Sequence, residues 1–240
     1  MSLTKHIPNT ITSLNLLCGV MGVIFAMEGR LDAAFVLMLL AALFDFCDGL
    51  AARLLHAYSD IGKELDSLCD VVSFGVLPSV MLFSLWGRPL WPLGFLPLLL
   101  AVFSALRLAK FNLDERQHDG FIGLPTPAAA MICGALAHCA ATTPGGFLSA
   151  LAASSWFIHA LALCLSILLV CEVPMFAVKL GGGKSVPASR KRLWIAFAGW
   201  VAMSVALTAF AGAKWSLAVL LSFAGYVLIN LVLPVFIRKD

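Results

Sequence analysis

Long apolar runs dominate the chain, and they constrain its fold more than any other feature of the sequence. A helix needs about 20 mostly apolar residues to cross the hydrocarbon core of a bilayer, because each residue adds about 1.5 Å. Eight such runs follow one another, separated by short connections: 11–28, 32–55, 65–87, 92–111, 125–143, 149–173, 192–212 and 215–237. The pattern predicts an all-α polytopic membrane protein with about eight transmembrane helices.

The composition supports a membrane protein and argues against a soluble one. Of the 240 residues, 61% are hydrophobic and only 12% are charged, whereas soluble domains carry about 25% charged residues. Since no long polar stretch is left for a second unit, we expect one membrane-embedded domain over residues 1–240. No basic run is interleaved with aromatic residues, so nucleic acid is not an expected partner.

The basic residues divide unevenly between the two sides that alternating helices would create. Of the 16 Lys and Arg residues, 13 fall on the side of both termini, and only Arg30, Arg88 and Lys214 fall on the other. Loops on the cytoplasmic side carry an excess of Lys and Arg. We therefore expect both termini to face the cytoplasm, in a chain that spans the cytoplasmic (inner) membrane.

Four aspartates stand out in the second and third apolar runs. Asp45 and Asp48 are three residues apart, and Asp66 and Asp70 are four apart, so each pair shares one helix face. At about 1.5 Å per residue, the first pair lies roughly 20 to 24 Å into the second span. The third span starts from that same side. The spacing therefore predicts four carboxylates at one depth, near the cytoplasmic face.

Such a concentration of negative charge needs neutralising. A single Asp in the middle of a membrane helix costs roughly 2.5–3.5 kcal/mol, and several together require protons or cations. Carboxylate oxygens are hard ligands, which favours Mg²⁺ or Mn²⁺ and leaves Ca²⁺ open. Gly49 and Ala52 leave room for a ligand or another helix, and Arg53 and Lys63 suit phosphate oxygens. These residues indicate a phosphoryl or pyrophosphate site, with helix capping and ion pairing as the alternative.

The region that contains the four aspartates resembles a known family. The run Asp45-x2-Asp48-Gly49-x2-Ala52-Arg53-x8-Gly62-x3-Asp66-x3-Asp70 is similar to the signature of the CDP-alcohol phosphatidyltransferases at all eight fixed positions. These membrane enzymes cleave a CDP-activated donor and release CMP. The resemblance implies a core of roughly residues 7–180, with two additional spans within 192–237. It also implies a homodimer.

The resemblance assigns roles to the matched positions. Asp45, Asp48 and Asp66 would bind divalent metal, expected to be two ions of Mg²⁺ or Mn²⁺. Asp70 would act as the general base, and a further role for it as a metal ligand stays open. The remaining matched positions would line the CDP site: Gly49, Ala52, Arg53 and Gly62.

Two further stretches resemble the serine-using members of the family. They are "IPNTITSLNLLCGV" at residues 7–20 and "ALRLAKFNLDERQHDGFIGLPTPAAA" at residues 105–130. This resemblance implies transfer of the phosphatidyl group of the membrane lipid CDP-diacylglycerol to the hydroxyl of L-serine. Four polar residues are candidates for contact with the acceptor or the lipid phosphate, with helix packing or interfacial anchoring as alternatives: Asn15, Arg107, Lys110 and Asn112.

Two other functions remain open at this stage. Within the family, the acceptor could be glycerol 3-phosphate or inositol phosphate. A cation-coupled transporter is the alternative from another class, because carboxylates inside a membrane also mark ion pathways. The inverted repeats and paired broken helices of many transporters are not visible in the sequence.

Overall fold

The computed structural model describes residues 6–86, 93–114, 121–176 and 188–237, and these ranges are almost entirely helical. The α-helices, in chain order, are α1 (His6–Met27), α2 (Leu31–Leu54), α3 (Asp60–Asp70), α4 (Leu77–Trp86), α5 (Leu99–Leu113), α6 (Thr126–Thr142), α7 (Phe147–Ala152), α8 (Ser155–Val170), α9 (Ala188–Phe210) and α10 (Trp215–Ile237). A π-helical segment, Val71–Val76, joins α3 to α4, and a 3₁₀ segment, Leu93–Leu98, leads into α5. Two short antiparallel strands, β1 (Phe121–Ile122) and β2 (Pro174–Met175), pair Phe121 with Met175.

Six helical segments of the described ranges are long and apolar enough to cross a membrane. They are His6–Met27, Leu31–Leu54, Asp60–Leu85, Leu93–Leu113, Leu193–Phe210 and Trp215–Val232. Shorter apolar helices, Thr126–Thr142 and Trp156–Val170, lie where the fifth and sixth spans were expected. The all-α polytopic membrane architecture is confirmed. The count of eight spans and the side of the termini stay predictions, and residues 1–5 and 238–240 lie outside the described ranges.

Several predicted spans differ from the structure in their bounds, and two of the differences have a clear local cause. The run 149–173 is not one helix, because α7 ends at Ala152 and α8 starts at Ser155, with Ser154 in extended backbone conformation. Serine favours helix starts over helix interiors, which accounts for the break between α7 and α8 although neither Gly nor Pro occurs there. The third span starts at Asp60 rather than at residue 65. Ser59 caps it by accepting a hydrogen bond of 3.0 Å from the Gly62 N–H.

The helices of the bundle alternate in direction, which gives it two distinct ends. At one end, a cavity is lined by Asp48 from late in α2 and Asp66 from early in α3. At the opposite end, another cavity is lined by Asp32 from the start of α2, His138 from late in α6 and Trp215 from the start of α10. We call the first of these the site end, because the four aspartates predicted to form a site belong to the same stretch of α2 and α3.

Helix α6 lies at the centre of the bundle. Of its 17 residues, 14 are buried, and most of them are Ala, Gly or Cys. Small side chains let neighbouring backbones approach closely, which is the usual basis of helix packing in membranes. Gly134 shows the effect, because its missing side chain leaves the space that Phe35 and Met38 of α2 occupy. This packing brings α2, α4 and α10 around α6.

The last two helices are an integral part of the bundle. The Trp200 indole N–H donates to the Leu221 carbonyl over 2.7 Å, and Gly225 leaves the room that the Trp200 ring fills. Helix α10 in turn contacts α6, where Ser216 Oγ lies 2.8 Å from His138 Nδ1. The pair α9 and α10 is therefore fixed to the central helix by polar as well as apolar contacts.

Gly134 provides a test of this packing. Gly134→Ala would place a methyl group 2.6 Å from the Phe35 ring, and Phe35 is fully buried and stacked on Trp215, with the ring centroids 5.4 Å apart. We expect destabilisation of about 1–3 kcal/mol, the usual cost of overpacking, seen as a lower midpoint of thermal unfolding in detergent.

Gly199→Ala is the matched control for this prediction. Gly199 lies inside α9, and a Cβ added there meets no protein atom within 4 Å. Since Ala is the better helix former by roughly 0.5–1 kcal/mol, this variant should unfold at the wild-type temperature or slightly above it. Equal midpoints for both variants would contradict the packing described for α6.

Candidate active site

Three carboxylates meet at the site end of the bundle. Asp45 and Asp48 come from consecutive turns of α2, and Asp66 comes from α3, whose register is set by the Ser59 cap. One oxygen from each residue lies within 4.8 Å of the other two. We call these residues the acidic trio. The structure thus brings together three of the four aspartates that spacing placed at one depth.

The acidic trio fits a divalent cation. Asp48 is only 5% exposed, and within the described ranges Asp48 Oδ2 and Asp66 Oδ1 are buried without a hydrogen-bond partner. An uncompensated carboxylate oxygen is expensive to bury, so these atoms call for a positive partner. Because the three donors are all carboxylate oxygens, they suit Mg²⁺ or Mn²⁺ better than softer metals.

Asp70 is held separately, one helical turn after Asp66. It is buried, and the Asn15 Nδ2 amide donates to Asp70 Oδ1 over 3.2 Å. Asn15 is itself fully buried, and its carbonyl accepts a hydrogen bond of 3.1 Å from Ser73 Oγ. Asn15 therefore orients Asp70, in addition to the substrate contact that the sequence predicts for it. Gly19 lets α1 come this close, because a Cβ there would contact Ser73.

The helix that carries Asp70 changes its winding immediately after that residue. The segment Val71–Val76 is π-helical and contributes Ser73 to the contact with α1. Its Gly75 faces α5, where an added Cβ would lie 3.0 Å from Ser104 Cβ. π-Helical turns inside α-helices occur frequently at functional sites. No sequence pattern predicted this turn.

A cavity of about 220 Å³ lies beside the acidic trio. Asp48, Gly49, Ala52, Gly62 and Asp66 are among the residues that line it, and we call it the glycine cavity. Three of the four residues predicted for the CDP site therefore lie together. A Cβ added at Gly49 meets no protein atom within 4 Å, so protein packing does not require a glycine there and the space is left for a ligand.

Arg53 differs from the other three residues predicted for the CDP site. It is exposed, it does not line the glycine cavity, and its Nε donates to the Gly49 carbonyl over 2.9 Å. A role in binding the donor thus stays a prediction for Arg53, which the structure places at the rim of the site end.

A larger cavity of about 540 Å³ lies on the other side of α3. Its polar lining residues are Lys63, Asp66, Asp70, Arg107 and Asn112, and six of its other lining residues are aromatic. We call it the aromatic cavity. Lys63 and Asp66 also line the glycine cavity, so the two cavities meet at α3.

Arg107 and Asn112 of α5 both contribute to the aromatic cavity. Arg107 is 6% exposed, and its guanidinium carbon lies 5.0 Å from the centre of the Phe111 ring and 5.5 Å from that of Phe121. Its Nη2 is buried and has no hydrogen-bond partner among the described residues. Asn112 Nδ2 donates to Ser67 Oγ over 2.9 Å, which ties α5 to α3.

Lys110 lies apart from these residues. It is exposed and lines a third cavity, of about 390 Å³, together with Arg107 and Glu172. Of the four acceptor candidates, Arg107 and Asn112 thus reach the cavity that contains Asp70, Arg107 and Lys110 share this third cavity, and Asn15 binds Asp70 from α1.

The aromatic residues that line the aromatic cavity were not predicted from the sequence. Phe176, Phe197, Phe223 and Tyr226 line the aromatic cavity, and the last three belong to α9 and α10. One signal was available, because Tyr226 and Asn230 stand four residues apart in an otherwise apolar span. Residues at that spacing share a helix face.

The fold and the site together define a polytopic membrane protein with an oxygen-only site suited to a divalent cation. The profile of the CDP-alcohol phosphatidyltransferases matches residues 5–168, and the chain belongs to this family. Membership of this family argues against a cation-coupled transporter. The four aspartates that suggested a transporter lie within the matched residues 5–168.

Curated relatives carry the name CDP-diacylglycerol--serine O-phosphatidyltransferase. The protein of Mycobacterium tuberculosis is 38% identical over 179 residues, covering 70% of this chain and 60% of the relative. That of Mycobacterium leprae is 34% identical over 213 residues, covering 85% of this chain and 68% of the relative. An archaetidylserine synthase of Methanothermobacter thermautotrophicus is 36% identical over 130 residues, covering 52% and 54%. The chain thus spans about 60% of the Mycobacterium tuberculosis relative.

The acidic trio predicts metal binding that can be measured without any reaction. Asp66→Asn removes one negative charge from the trio and should weaken Mn²⁺ binding by about tenfold or more. The binding is followed by electron paramagnetic resonance of free Mn²⁺ in the purified protein. Asp60→Asn is the matched control, because Asp60 is exposed on the same helix and outside the trio. Equal affinities of the two variants would contradict this assignment.

Proposed function

We propose that the protein transfers the phosphatidyl group of CDP-diacylglycerol to the hydroxyl of L-serine, giving phosphatidylserine and CMP. The observation that carries this proposal is the acidic trio with its two unpartnered carboxylate oxygens, beside a separately held Asp70. The names of the relatives support serine as the acceptor over glycerol 3-phosphate or inositol phosphate.

The donor would lie across the two cavities that meet at α3. The glycine cavity suits the CDP portion, because Gly49 leaves open space next to Asp48 and Asp66. The phosphates would then lie at the shared wall, near Lys63. We expect two divalent ions, Mg²⁺ or Mn²⁺, on the carboxylates. When bound, such ions offset negative charge on the pyrophosphate of the donor.

Asp70 would accept the proton of the acceptor hydroxyl. The serine oxygen forms a bond to the phosphorus that carries diacylglycerol, and the bond from that phosphorus to the CMP oxygen breaks. CMP leaves with the electron pair, and the serine proton passes to the Asp70 carboxylate. The Asn15 amide, 3.2 Å from Asp70 Oδ1, fixes the carboxylate during this step.

Arg107 would bind the carboxylate of serine. Its guanidinium is buried beside Phe111 and Phe121, its Nη2 lacks a partner among the described residues, and it lines the same cavity as Asp70. Guanidinium groups pair with carboxylates through two parallel hydrogen bonds. Lys110 is exposed nearby and would attract the acceptor from water rather than hold it.

We also propose that the site end faces the cytoplasm and that the protein is a homodimer. The side with 13 of the 16 basic residues supports the orientation. Serine supplied outside sealed vesicles should therefore react in inside-out vesicles and not in right-side-out ones.

The mass of the detergent-solubilised protein, measured by light scattering, tests the dimer.

The acceptor is tested by following CMP release. Purified protein with Mg²⁺ or Mn²⁺ and CDP-diacylglycerol is offered L-serine, glycerol 3-phosphate or inositol phosphate in separate reactions. We expect CMP with serine only. Release with another acceptor would overturn the choice of serine, and no release with any acceptor, from protein that binds Mn²⁺, would overturn the proposed activity.

Asp70→Asn separates proton transfer from metal binding. The amide keeps the shape of the carboxylate but cannot accept the proton, so turnover should fall by about 10²–10⁴-fold. Because Asp70 lies outside the acidic trio, Mn²⁺ affinity should stay within about threefold of wild type. Both quantities are measured on one preparation, and near-normal turnover would remove Asp70 from its role as base.

A further inference from the structure

The last two helices lie outside the part of the chain that the family profile matches, yet they border the candidate active site. The profile covers residues 5–168, whereas α9 and α10 begin at Ala188 and Trp215. The aromatic cavity is lined by Phe197 of α9 and by Phe223 and Tyr226 of α10. Asp66 and Asp70 line the same cavity. Part of the apolar lining of this cavity is thus supplied from outside the matched region.

Helix α10 also fixes the segment that follows α8. The Phe176 backbone N–H donates to Asn230 Oδ1 over 2.9 Å, and the Phe176 carbonyl accepts from the Tyr226 hydroxyl over 2.9 Å. Both backbone groups of Phe176 are therefore bound by one face of α10. Phe176 directly follows β2, which pairs with β1 and thereby with Phe121, one of the rings against Arg107.

Aromatic side chains pack tightly around this attachment. The Phe176 ring centre lies 5.0 Å from that of Tyr226 and 5.7 Å from that of Phe197, and the Phe197 and Tyr226 centres are 5.7 Å apart. Tyr226 and Phe176 are each 6% exposed. Since the Tyr226 hydroxyl is engaged by Phe176, these rings present carbon to the cavity.

We propose that the aromatic cavity holds an acyl chain of the lipid donor and that α9 and α10 set the preference for chain length. This inference rests on the proposed function, because it concerns the donor of that reaction. The part of the chain beyond its first few carbons would lie between Phe197, Phe223 and Tyr226, with the phosphate near Asp66 and Lys63. The role of the two helices is thus specificity rather than chemistry.

The other components of the reaction fit this wall less well. A serine zwitterion would have to leave water for a surface of aromatic carbon, which is costly without polar partners. A cytosine base needs hydrogen-bond donors and acceptors, which Phe197 and Phe223 do not offer. An acyl chain needs only apolar contact. The volume of this cavity, about 540 Å³, lies within the usual size range of ligand pockets in proteins.

The test compares long-chain and short-chain donors on the same preparation of protein. Binding of dioleoyl and dihexanoyl CDP-diacylglycerol is measured without acceptor, and CMP release is measured with serine. Phe197→Ala should weaken binding of the dioleoyl donor roughly tenfold, since it removes apolar contact along the chain. The dihexanoyl donor, which reaches less of the wall, should change by less than about twofold. The ratio of the two affinities does not depend on the folded fraction.

Phe210→Ala is the matched control. Phe210 lies on the same helix as Phe197 but is 95% exposed and outside the cavity, so both donors should bind as to wild type. Phe223→Leu, which keeps most of the core volume, should shift the ratio in the direction seen for Phe197→Ala.

Three results would overturn the inference. The first is an unchanged ratio in both cavity variants, and the second is an equal loss for both donors, which would indicate a structural role only. The third is a raised KM for serine with donor binding unchanged, which would assign the cavity to the acceptor. Wild-type protein that prefers the long-chain donor but releases no CMP would instead contradict the proposed function and leave this inference standing.

Discussion

Mutual repulsion among clustered carboxylates is the constraint on which the rest of the structure depends. Asp45, Asp48 and Asp66 lie too close together to carry full charge without a cation between them, and Asp48 is also buried. Among the residues that the structure describes, no arginine or lysine is bonded to the trio. The fold keeps Asp48 Oδ2 and Asp66 Oδ1 without protein partners in the described ranges and leaves open space beside Gly49. The arrangement therefore favours a positively charged ligand at the trio.

The helices around the trio have different tasks. Helix α1 is drawn against the π-helical turn by the contact of Gly19 with Ser73, and this places Asn15 where it can bond Asp70. Helix α6, made of small residues, holds the bundle together from its centre without reaching the trio. Three of the aromatic side chains that line the aromatic cavity, Phe197, Phe223 and Tyr226, come from α9 and α10. Asn15 of α1 orients Asp70 by a hydrogen bond. The aspartates lie between the glycine cavity and the aromatic cavity.

Sequence could predict those parts of the site that depend on spacing within one helix or across one short turn. Asp45, Asp48 and Asp66 meet because helical periodicity and the hairpin of α2 and α3 suffice to bring them together. The bond from Asn15 to Asp70 joins residues 55 positions apart, so it depends on how α1 packs, which no local pattern encodes. The aromatic wall was missed for the same reason. The π-helical turn at Val71–Val76 has no distinctive composition at all.

The contact of the two cavities at α3 explains why one helix carries so many functional positions. A donor that joins a water-soluble nucleotide to two acyl chains needs a polar and an apolar compartment, with its phosphates at the boundary. Lys63 and Asp66 belong to both cavities, and Asp70 lies one turn deeper on the apolar side. The spacing of four residues between Asp66 and Asp70 thus separates the metal site from the proton acceptor by one turn of helix.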